Sequence, residues 1–66
     1  MTEELTQKEI DILQGIADGK RLSGIAASMK LCENTIKHYT LDIRLKLDAP
    51  TTPNAIAIAL RRGLID

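Results

Sequence analysis

The sequence predicts an all-α fold of four short helices. Apolar residues recur at spacings of three and four along most of the chain, which is the period of an amphipathic helix. Three interruptions divide this pattern, and two of them carry the glycine or proline that ends helices. Tyr39 is the one aromatic residue, so the core must be aliphatic, which suits small helices packed closely. We predict one domain over residues 1–66, with helices at about 7–18, 22–29, 33–47 and 53–62.

The first helix has a complete start signal and a clear stop. Thr6 is a good N-cap, and Glu9 follows at the spacing of a capping box. Residues 1–4 before it are expected to form a frayed end. Gly19 suits the C-terminal end of the helix, whereas Gly15 lies inside it at a cost of about 1 kcal/mol relative to Ala, which we interpret as room for another helix. Four residues form the predicted apolar face, with Ile12 beside it: Ile10, Leu13, Ile16 and Ala17.

The middle of the chain reads as a short helix, a turn and a longer, half-polar helix. Ile25, Ala26 and Met29 form the apolar face of the short helix. Leu31 is apolar within the turn, so we expect it to fill the core between the two helices. Cys32 precedes the longer helix as its N-cap, although cysteine is a poor one. This order of elements is the helix-turn-helix pattern, which other small helical proteins also contain.

The longer helix has one apolar face and one largely polar face. Four residues form the apolar face: Ile36, Tyr39, Ile43 and Leu47. Five residues form the opposite face: Asn34, Lys37, His38, Leu41 and Arg44. Lysine, histidine and asparagine suit the base edges and phosphates of a DNA major groove. The alternative interpretation of this stretch, taken alone, is a solvated polar surface without a ligand.

The last predicted helix is apolar on more than one side, whereas a surface helix normally has a single apolar stripe. Thr52 is expected to be its N-cap, with Pro53 at the first helical position. A first stripe is predicted to face the core: Ile56, Ala59, Leu60 and Gly63. A second stripe is predicted to form a homodimer interface: Ala55, Ile58, Arg62 and Ile65. The alternative is that the second stripe faces solvent, since alanine need not be buried.

The charge balance argues against a nucleic-acid partner. The formal net charge is zero and the sequence pI is 6.6, whereas phosphate contacts favour a basic surface. Acidic residues concentrate in the first third of the chain and basic residues later, so one face can still be basic. A continuous positive patch around Lys37, His38 and Arg44 would favour DNA. Interruption of that patch by three acidic residues would favour a protein partner: Glu33, Asp42 and Asp48.

No metal, cofactor, membrane partner or catalytic activity is predicted. Cys32 is the single cysteine, which excludes an internal disulfide, and with His38 it provides too few ligands for zinc. The chain has no Gly-rich phosphate loop and no paired acids in a plausible pocket, so an enzyme is not expected. No signal segment is visible, and no run approaches the roughly 18 apolar residues of a membrane span. These features indicate a cytoplasmic protein.

The order and spacing of these features resemble the LuxR/GerE-type DNA-binding domain, in a stand-alone short form. The resemblance runs from Leu5 to Ile65. It rests on segments that follow in the family's order: Leu5-Thr6-x-Lys8-Glu9, Ile16-Ala17-x-Gly19, Ile25-Ala26, Leu31, Thr35-Ile36-Lys37, Lys46-Leu47 and Gly63-Leu64-Ile65. Six positions depart from the family. Tyr39 stands where His is usual, and Leu41 where a polar or basic residue is frequent; the others are Arg21, Gly24, Cys32 and Thr52.

The resemblance implies a transcriptional regulator that reads double-stranded DNA as a homodimer paired through its last helix. It implies major-groove contacts for three residues, of which the third would touch only a thymine methyl: Lys37, His38 and Leu41. It implies phosphate or flanking contacts for three more: Asn34, Thr35 and Arg44. In this family the domain usually follows a receiver or ligand-binding domain, and here we expect it to stand alone. The alternative is a protein-interaction module of the same fold that binds and modulates another LuxR-type regulator.

Overall fold

Four α-helices account for most of residues 5–66, the part of the chain that the computed structural model describes. They are α1 (Gln7–Ala17), α2 (Leu22–Met29), α3 (Glu33–Leu47) and α4 (Thr52–Arg61). No strand occurs among these residues, so the predicted all-α fold is confirmed. Each helix begins and ends within one residue of its predicted bounds. None of these helices has the length and apolar character needed to cross a membrane, and residues 1–4, predicted as a frayed end, lie outside the described part.

The start of α1 carries the predicted capping box. The Thr6 hydroxyl accepts a hydrogen bond from the backbone N–H of Glu9 at 3.2 Å, and Glu9 Oε1 accepts one from the backbone N–H of Thr6 at 2.8 Å. Gly19 follows the helix with a φ of 87°, a left-handed conformation that glycine adopts without steric cost. Gly15 provides the predicted close approach, because a Cβ atom there would lie 3.0 Å from Cγ1 of Ile25 on α2.

The other helices pack around α3, which contacts α1, α2 and α4. Four large side chains are fully buried, two from α1 and two from α3: Ile12, Leu13, Ile36 and Ile43. Leu47 is also buried, whereas Tyr39 is half-buried and packs against the edge of this core. The inner face predicted for α3 is therefore confirmed at Ile36, Ile43 and Leu47.

The buried face of α1 is rotated relative to the predicted one. Periodicity places Ile12 beside the apolar stripe, but this residue is fully buried. Periodicity places Ala17 on the stripe, but this residue is exposed. Glu9 lies on the buried face as well, with only 3% of its surface exposed. A buried glutamate interrupts the apolar pattern, so hydrophobic spacing alone places the face incorrectly.

The faces of α4 differ most from the prediction. Ala55 and Ala59 are fully buried, whereas Leu60, predicted to face the core, has 47% of its surface exposed. Ile56 and Ile58 are half-buried on the two flanks of the helix. Because α4 packs mainly against α3, the two alanines allow the helix backbones to approach closely. The smallest side chains therefore occupy the centre of the contact, and the larger ones are displaced to its edges.

The start of α4 is shifted by one residue from the prediction. Thr51 is the N-cap, and its hydroxyl accepts a hydrogen bond from the backbone N–H of Asn54 at 3.3 Å. Thr52, the predicted cap, is instead the first helical residue, so that Pro53 occupies the second position. Two adjacent threonines offer the same hydroxyl, and the sequence alone does not distinguish them.

The chain after α4 returns to α1 and is held there by a pair of hydrogen bonds. Gln14 Oε1 accepts from the backbone N–H of Asp66 at 2.9 Å, and Gln14 Nε2 donates to the Asp66 carbonyl oxygen at 3.1 Å. This return leaves Ile65 with 4% of its surface exposed, and Ala55 has none exposed. Ala55 and Ile65, predicted to lie in the homodimer interface, are therefore buried in the core of their own domain.

Candidate nucleic-acid interface

The turn between α2 and α3 is closed by backbone geometry and by one apolar side chain. Lys30 ends α2 in a left-handed conformation with a φ of 59°. The backbone N–H of Leu31 then donates to the carbonyl oxygen of Ala26 at 2.8 Å. The Leu31 side chain is half-buried and packs against the core, as predicted. With its inner face fixed by the core, α3 exposes the opposite face to solvent.

Most of the residues predicted to contact DNA lie on this exposed face of α3. Four of them are exposed: Asn34, Lys37, His38 and Leu41. Thr35 is half-buried in the first turn, and its hydroxyl oxygen lies 3.0 Å from the Cys32 sulfur. This hydrogen bond lowers the pKa of the exposed Cys32 thiol. The Cys32 side chain makes no capping hydrogen bond, so α3 begins without the side-chain cap that α1 and α4 have.

Arg44 makes a contact that sequence reasoning missed. Its Nη2 donates a hydrogen bond to the carbonyl oxygen of Pro50, in the connection between α3 and α4. Its Nε is buried without a hydrogen-bond partner. The guanidinium thus holds the connection against α3 rather than extending fully into solvent. The predicted phosphate contact of Arg44 stays a prediction, and it would rest on the donors that Pro50 does not occupy.

An ion pair with a buried carboxylate joins α1 to α3. The Nζ of Lys46 lies 2.7 Å from Glu9 Oε1, and the side chains are 20% and 4% exposed. Burial raises the pKa of the Glu9 carboxyl, but hydrogen bonds from Lys46 and Thr6 outweigh burial, so that the pKa lies below its ordinary value. Sequence reasoning gave Glu9 only a capping role. Glu9 precedes Ile12 by one helical turn and so lies on the same buried face of α1, but nothing in the sequence identifies Lys46 as its partner.

Acidic side chains interrupt the positive charge on α3. Lys37 is exposed beside His38, whereas Lys46 is paired with Glu9 and Arg44 is bonded to a carbonyl oxygen. Three acidic residues near them are exposed: Glu33, Asp42 and Asp48. A groove of about 400 Å³ runs between α1 and α3, lined in part by these charged groups: Lys8, Glu9, Asp42 and Lys46. The surface of α3 is therefore not a continuous positive patch.

The fold agrees with the comparison to known proteins. Residues 3–59 match the family described as bacterial regulatory proteins of the luxR family. The chain belongs to the LuxR family. Its four helices form the helix-turn-helix DNA-binding domain of that family, as the resemblance predicted. This is a family of regulatory proteins rather than of enzymes.

Three relatives of this LuxR-family domain are regulators from different bacteria. The uncharacterized response regulatory protein YgeK of Escherichia coli is 41% identical over 61 residues, which cover 92% of this chain and 42% of the relative. The transcriptional regulatory protein YdfI of Bacillus subtilis is 34% identical over 62 residues, which cover 94% and 29%. The quorum-sensing regulator RhlR of Pseudomonas aeruginosa is 39% identical over 61 residues, which cover 92% and 25%. The chain thus spans less than half the length of these relatives.

Proposed function

We propose that this LuxR-family domain binds double-stranded DNA through the exposed face of α3 and thereby regulates transcription in the cytoplasm. The observation that carries the proposal is that Lys37, His38 and Leu41 lie side by side on the solvent face of a helix whose opposite face is buried. With 15 residues, α3 is about 22 Å long. With its side chains an α-helix is about 10–12 Å in diameter, which fits a major groove about 12 Å wide.

The exposed side chains have the chemistry that base and backbone recognition needs. Lys37 is suited to the O6 and N7 acceptors of guanine or to a phosphate, and Asn34 to adenine or a phosphate. His38 donates a hydrogen bond to either kind of acceptor. Thr35 lies in the first turn of α3, where flanking contacts are expected. Leu41 has no hydrogen-bonding group, so its contact with a base must be apolar.

A salt-dependent titration against random-sequence duplex DNA tests the proposal. Binding that weakens as the salt concentration rises is expected, because lysine and arginine side chains that contact phosphates displace counterions from the DNA. The slope of log affinity against log salt counts those contacts. Because few lysine and arginine side chains of α3 lack a partner within the domain, we expect the slope of log affinity against log salt to be shallow for a DNA-binding domain. Absence of binding at low salt would remove DNA as the partner.

The variant Lys37→Ala tests the assigned face. It is expected to weaken DNA binding by about 1–3 kcal/mol if Lys37 reads a base, without changing thermal stability, because Lys37 is exposed. Lys20→Ala is the matched control, since Lys20 is an exposed lysine that lines a different groove between α1 and α2. Equal loss of affinity in both variants, or unchanged affinity in Lys37→Ala combined with His38→Ala, would exclude this face from DNA reading.

A homodimer paired through α4 is the second part of the proposal, on the flank that carries Leu60. Leu60 is the exposed large apolar side chain of α4, and Ile56 lies one turn before it. Ile58, the residue expected at the interface, lies on the other flank and packs against the domain's own core. Arg62 is exposed at the end of the helix, and because it follows Ile58 by four residues it lies toward that other flank. A two-fold pairing brings the copies of Leu60 together, and reading two half-sites one DNA turn apart requires the two α3 helices to lie about 34 Å apart.

Sedimentation equilibrium of Leu60→Glu tests the dimer. The variant is expected to be a folded monomer that binds DNA more weakly than the wild type, because a charge at a two-fold contact faces its own copy. Leu45→Glu is the matched control, since Leu45 is an exposed leucine on α3 and its change should leave the dimer intact. A wild type that stays monomeric at high concentration, and sediments like Leu60→Glu, would rule out the pairing.

The exposed acidic residues on α3 support a second candidate function, a protein-interaction module. Glu33, Asp42 and Asp48 interrupt the positive surface and repel phosphates. Such a module would bind another LuxR-type regulator, through α4 or through α3 itself. A chain that fails to bind duplex DNA at low salt, and yet forms mixed dimers with a LuxR-type regulator, would establish this candidate in place of the first.

A further inference from the structure

Two leucines on α3 are exposed to solvent beside the proposed DNA-reading residues. Leu45 has 80% of its surface exposed and Leu41 has 51%. They are four residues apart, so they are neighbours on one side of the helix. Single exposed leucines are ordinary on protein surfaces. A neighbouring pair on a proposed binding face is different, because it gives that face a continuous apolar strip, which we call the leucine pair.

The leucine pair continues the line of residues assigned to DNA. Spacings of four, three and four residues connect the members of this line along α3: Asn34, His38, Leu41 and Leu45. Lys37 precedes Leu41 by four residues and therefore lies next to the line. The N-terminal half of the face is thus polar and the C-terminal half apolar. A ligand that binds along this face of α3 therefore contacts polar and apolar side chains.

Charged neighbours do not cover the pair. Asp42 lines the groove that α3 forms with α1, together with Thr6 and Lys8. Arg44 is bonded to the Pro50 carbonyl oxygen. A shallow hollow of about 250 Å³ borders the pair on the side of the α3–α4 connection, lined by Leu41, Arg44, Leu45 and Ala49. Three of the four residues that line this hollow are therefore apolar.

The major groove of DNA offers an apolar partner at one kind of base. The C5 methyl group of thymine is exposed in the groove, whereas a G·C pair presents hydrogen-bonding groups there. A leucine placed over a G·C pair removes water from these groups without replacing their hydrogen bonds, which is unfavourable. A leucine placed over thymine buries the C5 methyl group of the base against the leucine side chain, which is favourable.

We infer that the leucine pair reads thymine methyl groups and makes the domain select A·T base pairs beyond the position that Lys37 contacts. The inference rests on the proposed DNA-binding function. Leu41 and Leu45 are about 6 Å apart along the helix axis, at 1.5 Å per residue. Two base-pair steps of about 3.4 Å span a similar distance. The selected thymines are therefore expected about two base pairs apart.

The test removes the methyl groups from the DNA and leaves the protein unchanged. A duplex is first selected from a random library by the wild-type domain, and each thymine is then replaced by deoxyuridine, which lacks only the C5 methyl group. Replacement of the thymines read by the pair is expected to weaken binding about fourfold per methyl group, and replacement elsewhere in the same duplex to have no effect. In Leu41→Ala or Leu45→Ala, one of the sensitive positions should become insensitive.

The outcomes separate this inference from the function on which it rests. Selected duplexes without a thymine preference, or affinities that deoxyuridine leaves unchanged, overturn the inference while DNA binding stands. If the domain retains no duplex of the library at low salt, the proposed DNA-binding function itself is overturned. Equal sensitivity to deoxyuridine in the wild type and both alanine variants also overturns the assignment, because the methyl groups would then contact other residues.

Discussion

The helices α1 and α4 pack against the same central helix by different means. α1 buries the large side chain of Ile12 together with the carboxylate of Glu9, which pairs with a lysine of α3. α4 buries Ala55 and Ala59 and leaves Leu60 with 47% of its surface exposed. One helix thus buries a charge, and the other exposes a large apolar side chain.

This difference shows that the distance between two helices decides burial as much as hydrophobicity does. Helix axes lie about 8–10 Å apart, depending on the side chains at the contact. Alanines at the centre of the α3–α4 contact permit the close end of that range, and the bulkier Ile56, Ile58 and Leu60 must then lie on the flanks. The apolar surface left on the Leu60 flank is the surface that the proposed dimer covers.

The largest expected effect is the loss of stability when a buried side chain of α1 is truncated. An exposed side chain of α4 is truncated for comparison. Ile12→Ala should lower the free energy of unfolding by about 2–5 kcal/mol, because it leaves a cavity at a fully buried position. Leu60→Ala should change it by no more than about 0.5 kcal/mol, when urea unfolding is followed at concentrations where the domain is monomeric. Ile12→Val, at about 0.5–1.5 kcal/mol, keeps the comparison measurable if Ile12→Ala does not fold. Equal losses at the two positions would contradict the assigned faces.

Helix positions and the inner face of α3 are predictable from the sequence because their causes are local. The capping box at Thr6 and the glycine stop at Gly19 act within one turn of their helix. Ile36 and Ile43 follow the helical period without interruption, and both are fully buried. The face of α1 is mispredicted because a buried Glu9 breaks that period, and its partner Lys46 lies 37 residues away in the chain.

The candidate site also contains some features that the sequence predicts and others that it does not. Exposure of Lys37, His38 and Leu41 follows from the position of the opposite face, so periodicity suffices to predict it. The hydrogen bond from Arg44 is not predictable, because its acceptor is the backbone carbonyl oxygen of Pro50. The position of that oxygen depends on the conformation of the connection between α3 and α4. Burial of Ile65 depends on hydrogen bonds between residues 52 positions apart. Contacts at such separations leave no periodic trace in a single sequence.

The next prediction enlarges an alanine at the centre of the α3–α4 contact. Ala59→Leu should lower the free energy of unfolding by about 1–3 kcal/mol, because the added atoms have no space at a fully buried position and must push the helices apart. Ala17→Leu is the matched control, since Ala17 is exposed at the end of α1, and its effect should stay within about 0.5 kcal/mol. Thermal unfolding of both variants measures the difference. A more stable Ala59→Leu would mean that α4 is not held close to α3.

The smallest expected effect concerns the charge that α1 buries and α4 lacks. Because the pKa of Glu9 is lower in the folded chain than its ordinary value, the carboxylate stabilises the fold above the unfolded pKa of about 4.3. That contribution is lost as the pH falls from there through the folded pKa. Glu9→Gln keeps a side chain that suits the capping box but removes the charge, so it should cost about 1 kcal/mol at neutral pH. Urea unfolding of both proteins from about pH 7 to about pH 3 should show the two stabilities converging at the acid end. A difference that stays constant with pH would mean that Glu9 contributes through packing alone, and the contrast between α1 and α4 would then reduce to side-chain size.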